Sequence, residues 1–136
     1  MAKRQKAWTW APAKPSGLPR AVKDKLSARA QEFADLELKS RHVQPPPRNA
    51  RFNYIVDLST KWQGRFFYFV SKYASTGPNA ISPFFEAAFA RLEYQGNGRF
   101  SLAYMRYTGQ WWQVYTDLTV GQALNVIREQ PLFQPE

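Results

Sequence analysis

The chain has 136 residues, of which 44% are hydrophobic and 16% aromatic, which suits one compact domain with a real core. Its net charge of +9 is uneven, because residues 1–51 hold twelve Lys and Arg against four Asp and Glu, whereas residues 52–136 hold seven against six. The lack of cysteine excludes disulfides, thiolate catalysis and cysteine-ligated zinc.

Residues 1–17 are rich in proline and basic side chains, a composition that buries too little surface to order the backbone. We expect a basic, extended or disordered arm there, followed by a single domain over residues 18–136. Basic charge at one end of a chain indicates attraction to a polyanion, or else a solubility tail or an arm that binds a protein. No apolar run is long enough for a signal peptide or a membrane span, which predicts a soluble cytoplasmic protein with no membrane partner.

The first predicted element is a helix of about five turns that begins near Pro19 and ends before the prolines at 45–47. The apolar residues that recur at helical spacing are Val22, Leu26, Ala30 and Phe33. They form one buried stripe. Arg20, Lys23 and Arg29 lie mostly off this stripe, so the helix should present a basic outer face.

From Arg51 the hydrophobic period changes to two, which predicts strands. The first strand places Phe52, Tyr54, Val56 and Leu58 on one face, and residues 59–64 read as a turn. The remaining strands are expected over residues 65–73, 89–94, 99–107 and 110–118. The alanine-rich start of the third segment, from Phe84, is also compatible with a helix. Asn97-Gly98 and Thr108-Gly109 predict tight hairpin turns, so the sheet should be an antiparallel meander.

A second helix should follow the fifth strand. Thr119 and Gln122 match a capping box, and Pro131 ends the helix. Leu132 and Phe133 are then expected to pack on the body of the protein. The predicted fold class is therefore α+β: an N-terminal helix, a five-stranded antiparallel sheet and a C-terminal helix.

Aromatic residues fall on both faces of the predicted sheet, although an antiparallel sheet with one wet face alternates with polar residues. Three coverings of the second face are possible: the helices divide between the faces, the sheet curls around one helix, or a partner binds. In the fifth strand, Trp112 and Val114 are assigned to the core side. Trp111 and Tyr115 are assigned to the other side.

The sequence carries no catalytic signature or phosphate-binding loop, and a single histidine, His42, follows the first helix. No cofactor is predicted. Asp57, Glu86, Glu93 and Asp117 lie in or near strands, where they could bind Mg²⁺ in a nuclease. The alternative is that these carboxylates pair with arginines across the sheet.

The segment from "FNYIVDLSTKWQGRFFYF" to "RYTGQWWQVYTDLT" resembles small bacterial proteins of an uncharacterised family, over about residues 45–135. The resemblance implies no activity and no functional residues.

The favoured hypothesis is a small, non-enzymatic module that binds DNA or RNA. The residues expected to contact phosphates are Lys3, Arg4, Lys6, Lys14, Arg20, Lys23, Arg29, Arg65, Arg99 and Arg106. The rings expected to stack on bases or to form an interface are Trp62, Tyr107, Trp111 and Tyr115. The alternative is a homodimer, or an accessory subunit whose basic arm binds an acidic protein and whose aromatic sheet face is the interface.

Overall fold

The computed structural model describes residues 17–43, 45–46, 52–77 and 80–135. These residues form an N-terminal helical segment, five antiparallel strands in sequential order and a C-terminal helix, which confirms the predicted α+β fold. The strands are β1 (Tyr54–Gln63), β2 (Phe66–Ala74), β3 (Phe84–Gly96), β4 (Arg99–Met105) and β5 (Trp111–Leu118). Apart from Gly17, the predicted arm lies outside the described residues.

The N-terminal helical segment runs from Arg20 to His42 as α1 (Arg20–Phe33), a π-helical turn (Ala34–Leu38) and α2 (Lys39–His42). Pro19 has extended backbone angles and precedes the first turn. The predicted apolar stripe is confirmed, since Leu26, Ala30 and Phe33 are buried and Val22 packs against the core.

The third helix, α3, spans Val120–Glu129 and begins with the predicted capping box. The Thr119 hydroxyl accepts from the Gln122 backbone N–H at 3.2 Å, and the Gln122 side-chain oxygen accepts from the Thr119 N–H at 2.9 Å. A 3₁₀ turn over Pro131–Phe133 follows. Of the two residues expected to pack on the body, Phe133 is fully buried whereas Leu132 is 55% exposed.

One prediction about the strands is wrong, and one alternative that the sequence left open is excluded. Residues 59–63 continue β1, so Trp62 lies in a strand, and the chain turns instead at Gly64, whose φ is +64°. Residues 84–88 are not helical but belong to β3, where they pair with the second half of β2. Pairing with a neighbouring strand outweighs the weak helix preference of two alanines.

Irregular strand pairing also changes which residues are buried. In β1 the register shifts between Ile55 and Asp57, so Ile55 and Leu58 are the buried pair and Phe52 is 81% exposed. The predicted face from Phe52 to Leu58 is therefore wrong, because a bulge shifts the alternation by one residue.

The same effect alters β5. Trp111 pairs with Met105 and Tyr115 pairs with Leu102, and two register shifts lie along this ladder. Leu102 and Met105 are three apart in one strand and point to opposite faces, so Trp111 and Tyr115 do as well. The prediction that they share a face is wrong. Val114 was predicted to be core but is 43% exposed.

Both helical segments pack on the same face of the sheet. Phe33 of α1 meets Phe69 of β2 edge to face at 6.2 Å, and Phe133 after α3 meets Tyr104 of β4 at 5.7 Å. Phe69 and Tyr104 share a face because both pair with Ala90 of β3. Every ring contact between helical segments and sheet in the described part of the chain falls on this side. The helices therefore do not divide between the two faces.

Candidate functional site

The opposite side of the sheet, which carries Phe66, Tyr68, Arg91 and Trp111, is called the helix-free face below. Register places three of its residues in one row across adjacent strands, since Lys61 pairs with Tyr68 and Tyr68 pairs with Arg91. Cross-strand partners project to the same side. The row therefore alternates cation, ring and cation.

Arg91 is the centre of this face. Its guanidinium carbon lies 4.5 Å from the centroid of the Phe66 ring and 4.9 Å from that of Trp111, so it contacts two aromatic rings. The Tyr68 and Trp111 rings lie 5.7 Å apart with their planes tilted. The two distances from Arg91 are typical of cation–π contacts, and the distance between the rings is typical of an aromatic pair. The face thus presents a compact cluster of three rings around one cation.

Small residues form the floor beneath this cluster. Val70, Ser101 and Ala103 are each no more than 3% exposed, although they belong to the side without helices. The long side chains of Tyr68, Arg91 and Trp111 are half-buried. This arrangement accounts for an apolar second face: long side chains of the sheet itself shield the small ones.

Further basic residues border the cluster. Lys61 is exposed on the edge strand β1. Lys72 places its ammonium 4.6 Å from the centroid of the exposed Phe84 ring. Arg65 lies 3.6 Å from Glu93 and also donates to the Tyr94 carbonyl oxygen, so a carboxylate already compensates its charge.

The remaining basic residues that the sequence suggested are dispersed. Arg99 pairs with Asp117 at 3.9 Å. This pair and the Arg65–Glu93 pair are examples of the alternative in which strand carboxylates pair with arginines across the sheet. On the exposed side of α1, Arg20 pairs with Asp24 at 3.4 Å. Arg29 is also exposed on α1. Lys3, Arg4, Lys6 and Lys14 lie outside the described residues.

The four predicted stacking rings occupy separate environments. Trp62 packs between α1 and Phe67, donates its indole N–H to the Ser27 hydroxyl at 2.8 Å and lies beneath Lys23. Tyr115 packs against Phe133 on the helix-covered face. Trp111 belongs to the helix-free face, and Tyr107 is 93% exposed after β4.

Arg106 lies with Tyr107 and Trp112 rather than with Arg91. Its guanidinium carbon is 4.3 Å from the Trp112 ring centroid and 5.9 Å from that of Tyr107. Trp112 pairs with Tyr104, so it points toward the helix-covered side as predicted, yet it is 51% exposed because the helices do not reach it.

A cavity of about 700 Å³ lies beside Arg106, bounded by the ends of β2, β3 and β4 and by the chain after α3. The aromatic residues of its lining are Tyr73, Phe89, Tyr104 and Tyr107. Gln134 closes one side, and its amide nitrogen donates to the carbonyl oxygens of Ile127 and Arg128 at 3.0 Å each. No sequence pattern indicated this cavity, since its walls come from segments distant in the chain.

His42 contacts the same glutamine, with 3.0 Å between its Nε2 and the Gln134 side-chain oxygen. Burial lowers the pKa of His42, the hydrogen bond to Gln134 opposes that effect, and the charge of Arg41 lowers the pKa further. A histidine held neutral in this way links two chain segments.

The strand carboxylates are spread over the sheet. Asp57 lies 3.3 Å from Lys39 of α2, while Glu93 and Asp117 contact arginines. In the parts of the chain that the structure describes, no three His, Asp or Glu side chains are grouped closely enough to hold a metal ion.

The sequence predicted Trp111 as a candidate ring but not its partner Arg91. The alternation that puts Phe66 and Tyr68 on one side was visible. Placing Arg91 between Phe66 and Trp111 requires the registers of two ladders, which alternation does not supply.

Comparison with known proteins identifies the family of this chain. No helix in the described ranges is long and apolar enough to cross a membrane. No curated protein and no solved structure matches the chain. A family model for a domain of unknown function, DUF3024, matches residues 18–135. The chain, with its meander sheet and two helical segments on one face, therefore belongs to the DUF3024 family.

Proposed function

We propose that the protein binds single-stranded nucleic acid on the helix-free face of its sheet. The observation that carries the proposal is the Phe66–Arg91–Trp111 cluster, with Tyr68 beside it, on a face where no helix of the described chain makes a ring contact.

Unpaired bases stack on aromatic rings, and each such contact is worth about 1–3 kcal/mol. Tyr68 and Trp111 are half-buried, so each retains an accessible part for a base. Arg91 and Lys61 lie on the strands to either side of Tyr68, in the same row. Their positive charges would contact the phosphates of a strand whose base stacks on Tyr68. A duplex hides its bases, so a platform of this kind favours single strands.

The basic residues of the N-terminal half extend this surface at one edge. Lys23 of α1 lies over Trp62, which is adjacent in β1 to Lys61 of the helix-free face. A strand leaving the sheet at β1 would therefore meet α1, whose Arg20 is exposed. The basic residues Lys3 to Lys14 precede α1 in the sequence. These contacts would be independent of sequence and weakened by salt.

The test compares two adjacent tryptophans. Fluorescence anisotropy would measure binding of labelled dT15 and of a 15-base-pair duplex. We expect Trp111→Leu to weaken dT15 binding about tenfold, because one stacking contact of about 1.4 kcal/mol is lost. Arg91→Gln should weaken it to a similar extent.

Trp112→Leu is the matched control, since Trp112 lies in the same strand but points to the other side. It should leave the dT15 affinity unchanged. Equal losses in the two variants, tighter binding to the duplex than to dT15, or no binding of native protein at low salt would refute the proposal.

A homodimer through the same face is the second candidate. Phe84, 46% exposed, extends the aromatic surface along β3, and a self-complementary patch of rings is typical of twofold interfaces. Sedimentation equilibrium of native protein and Trp111→Leu would separate the candidates. A dimer that the substitution dissociates, in a protein that does not bind dT15, would favour the interface over nucleic acid.

A further inference from the structure

We infer that the cavity beside Arg106 binds a small organic anion with a planar aromatic body. This site lies on the helix-covered side and is independent of the proposed nucleic-acid surface. Its volume of about 700 Å³ is within the range of small-molecule sites, about 300–1,000 Å³.

The aromatic lining of the cavity favours a ligand with a flat aromatic ring system. Tyr73, Phe89, Tyr104 and Tyr107 contribute aromatic rings. The Tyr73 ring is itself stacked on Phe85, with centroids 5.0 Å apart and planes inclined by 12°. Flat rings that line a cleft favour a flat aromatic partner over a flexible aliphatic chain.

The charge of the site favours a ligand that also carries an anionic group. Among the described residues that line the cavity, Arg106 alone is charged, and no ion pair joins it to a carboxylate in the described chain. Its guanidinium carbon lies 4.3 Å from the Trp112 ring centroid, a contact that positions the side chain while its N–H groups stay able to donate. A fixed fork of donors matches a carboxylate.

Two uncharged polar side chains of the lining, Ser71 and Gln134, already have partners. The Ser71 hydroxyl donates to the Ala87 carbonyl oxygen at 3.1 Å. The Gln134 amide nitrogen has two carbonyl acceptors, and its oxygen faces His42. Arg106, as the charged group among the described lining residues, would distinguish an anionic ligand from a neutral one.

The experiment uses 1-pyrenebutyrate, followed by its own fluorescence, with the neutral 1-pyrenebutyramide as its isostere. We expect saturable binding of the carboxylate, at least tenfold tighter than that of the amide. Arg106→Gln should reduce carboxylate binding to the level of the amide. Arg99→Gln, the same change at the other end of β4, should leave the preference intact.

Ala87→Phe tests the location. Ala87 lines the cavity yet is exposed, so a larger side chain fills the space without disturbing the core. We expect this variant to keep the native circular dichroism spectrum and to lose binding of both pyrene compounds.

Three results would overturn the inference: equal affinity for the carboxylate and the amide, native affinity in Ala87→Phe, or decanoate binding as tight as that of pyrenebutyrate. Excess dT15 should not displace the pyrene compound, because the two surfaces lie on opposite sides of the sheet. Displacement would mean that the cavity is not a separate site. Failure of dT15 to bind at all would leave the pyrene result unaffected.

Discussion

His42 connects the end of the N-terminal helical segment to the last residues of the described chain. The Gln134 amide nitrogen donates to two carbonyl oxygens, so the Gln134 oxygen is the acceptor toward His42. His42 must then carry its proton on Nε2 when neutral. One glutamine orientation therefore fixes one tautomer of the neutral histidine.

This geometry predicts a dependence of stability on pH. Burial, the largest cause, lowers the pKa of His42 from its ordinary value of 6.5, so the unfolded chain takes up a proton more readily than the folded chain. The contribution of His42 to the free energy of unfolding is fully present above pH 6.5 and is lost as the pH falls through the lowered pKa.

Urea denaturation of native protein and His42→Gln at pH 7.5 and at pH 5 would measure this effect. We expect the native protein to lose more stability than the variant between the two pH values. An equal loss in both would show that His42 does not contribute.

Residues whose contacts are local were the ones that the sequence predicted correctly. The capping box joins Thr119 to Gln122, only three positions further along the chain, and the structure contains it as predicted. Arg91 depends instead on rings from β2 and β5, more than twenty residues before it and twenty after it. No local pattern contains that information.

At the scale of elements, Glu37 and Arg128 join the N-terminal helical segment to α3. The guanidinium donates to both carboxylate oxygens, at 2.6 Å and 2.8 Å, and its carbon lies 5.3 Å from the Phe33 ring centroid. The hydrogen bond from Arg128 lowers the pKa of Glu37 and the same contact raises that of Arg128. Glu37 belongs to the π-helical turn, and pairing across elements fixes the place of that turn against α3.

We expect Glu37→Gln to lower the free energy of unfolding by about 1 kcal/mol, the value typical of a two-point charge pair that is partly exposed. Urea denaturation at pH 7 would measure the change. Glu32→Gln, on an exposed position of α1, is the control and should change stability by less than about 0.5 kcal/mol. Equal effects of both substitutions would contradict the assigned role of the pair.

Element identity was predictable where the hydrophobic period was long and regular, as in α3 and β4. The assignment of residues to faces failed where a strand carries a register shift. The bulges in β1 and along β5 reversed the assigned faces of Tyr54 and Tyr115, and the start of β3 is a strand because β2 lies beside it. The sequence predicted the fold class, but only one member, Trp111, of the ring cluster on the helix-free face.

For the molecule as a whole, the uneven charge leads to a quantitative prediction about nucleic-acid binding. Replacing Lys3, Arg4, Lys6 and Lys14 with Gln in the full chain removes four of the nine net charges. If all four contact phosphates of a single strand, the slope of log K against log salt should become shallower by about 3. Titrations of dT15 at several salt concentrations would give this slope. An unchanged slope would exclude these residues from the contact.

The sequential order of the sheet leaves β1 and β5 as its outer strands. Straight outer strands are templates on which further chains add, the first step of fibre formation. Here each outer strand carries an interruption: a register shift at Ile55 in β1, and shifts along β5, where Asp117 has a φ of +59°. The irregularities that changed which residues are buried thus also shorten the regular edge that another chain could extend, a safeguard for a protein so rich in aromatic residues.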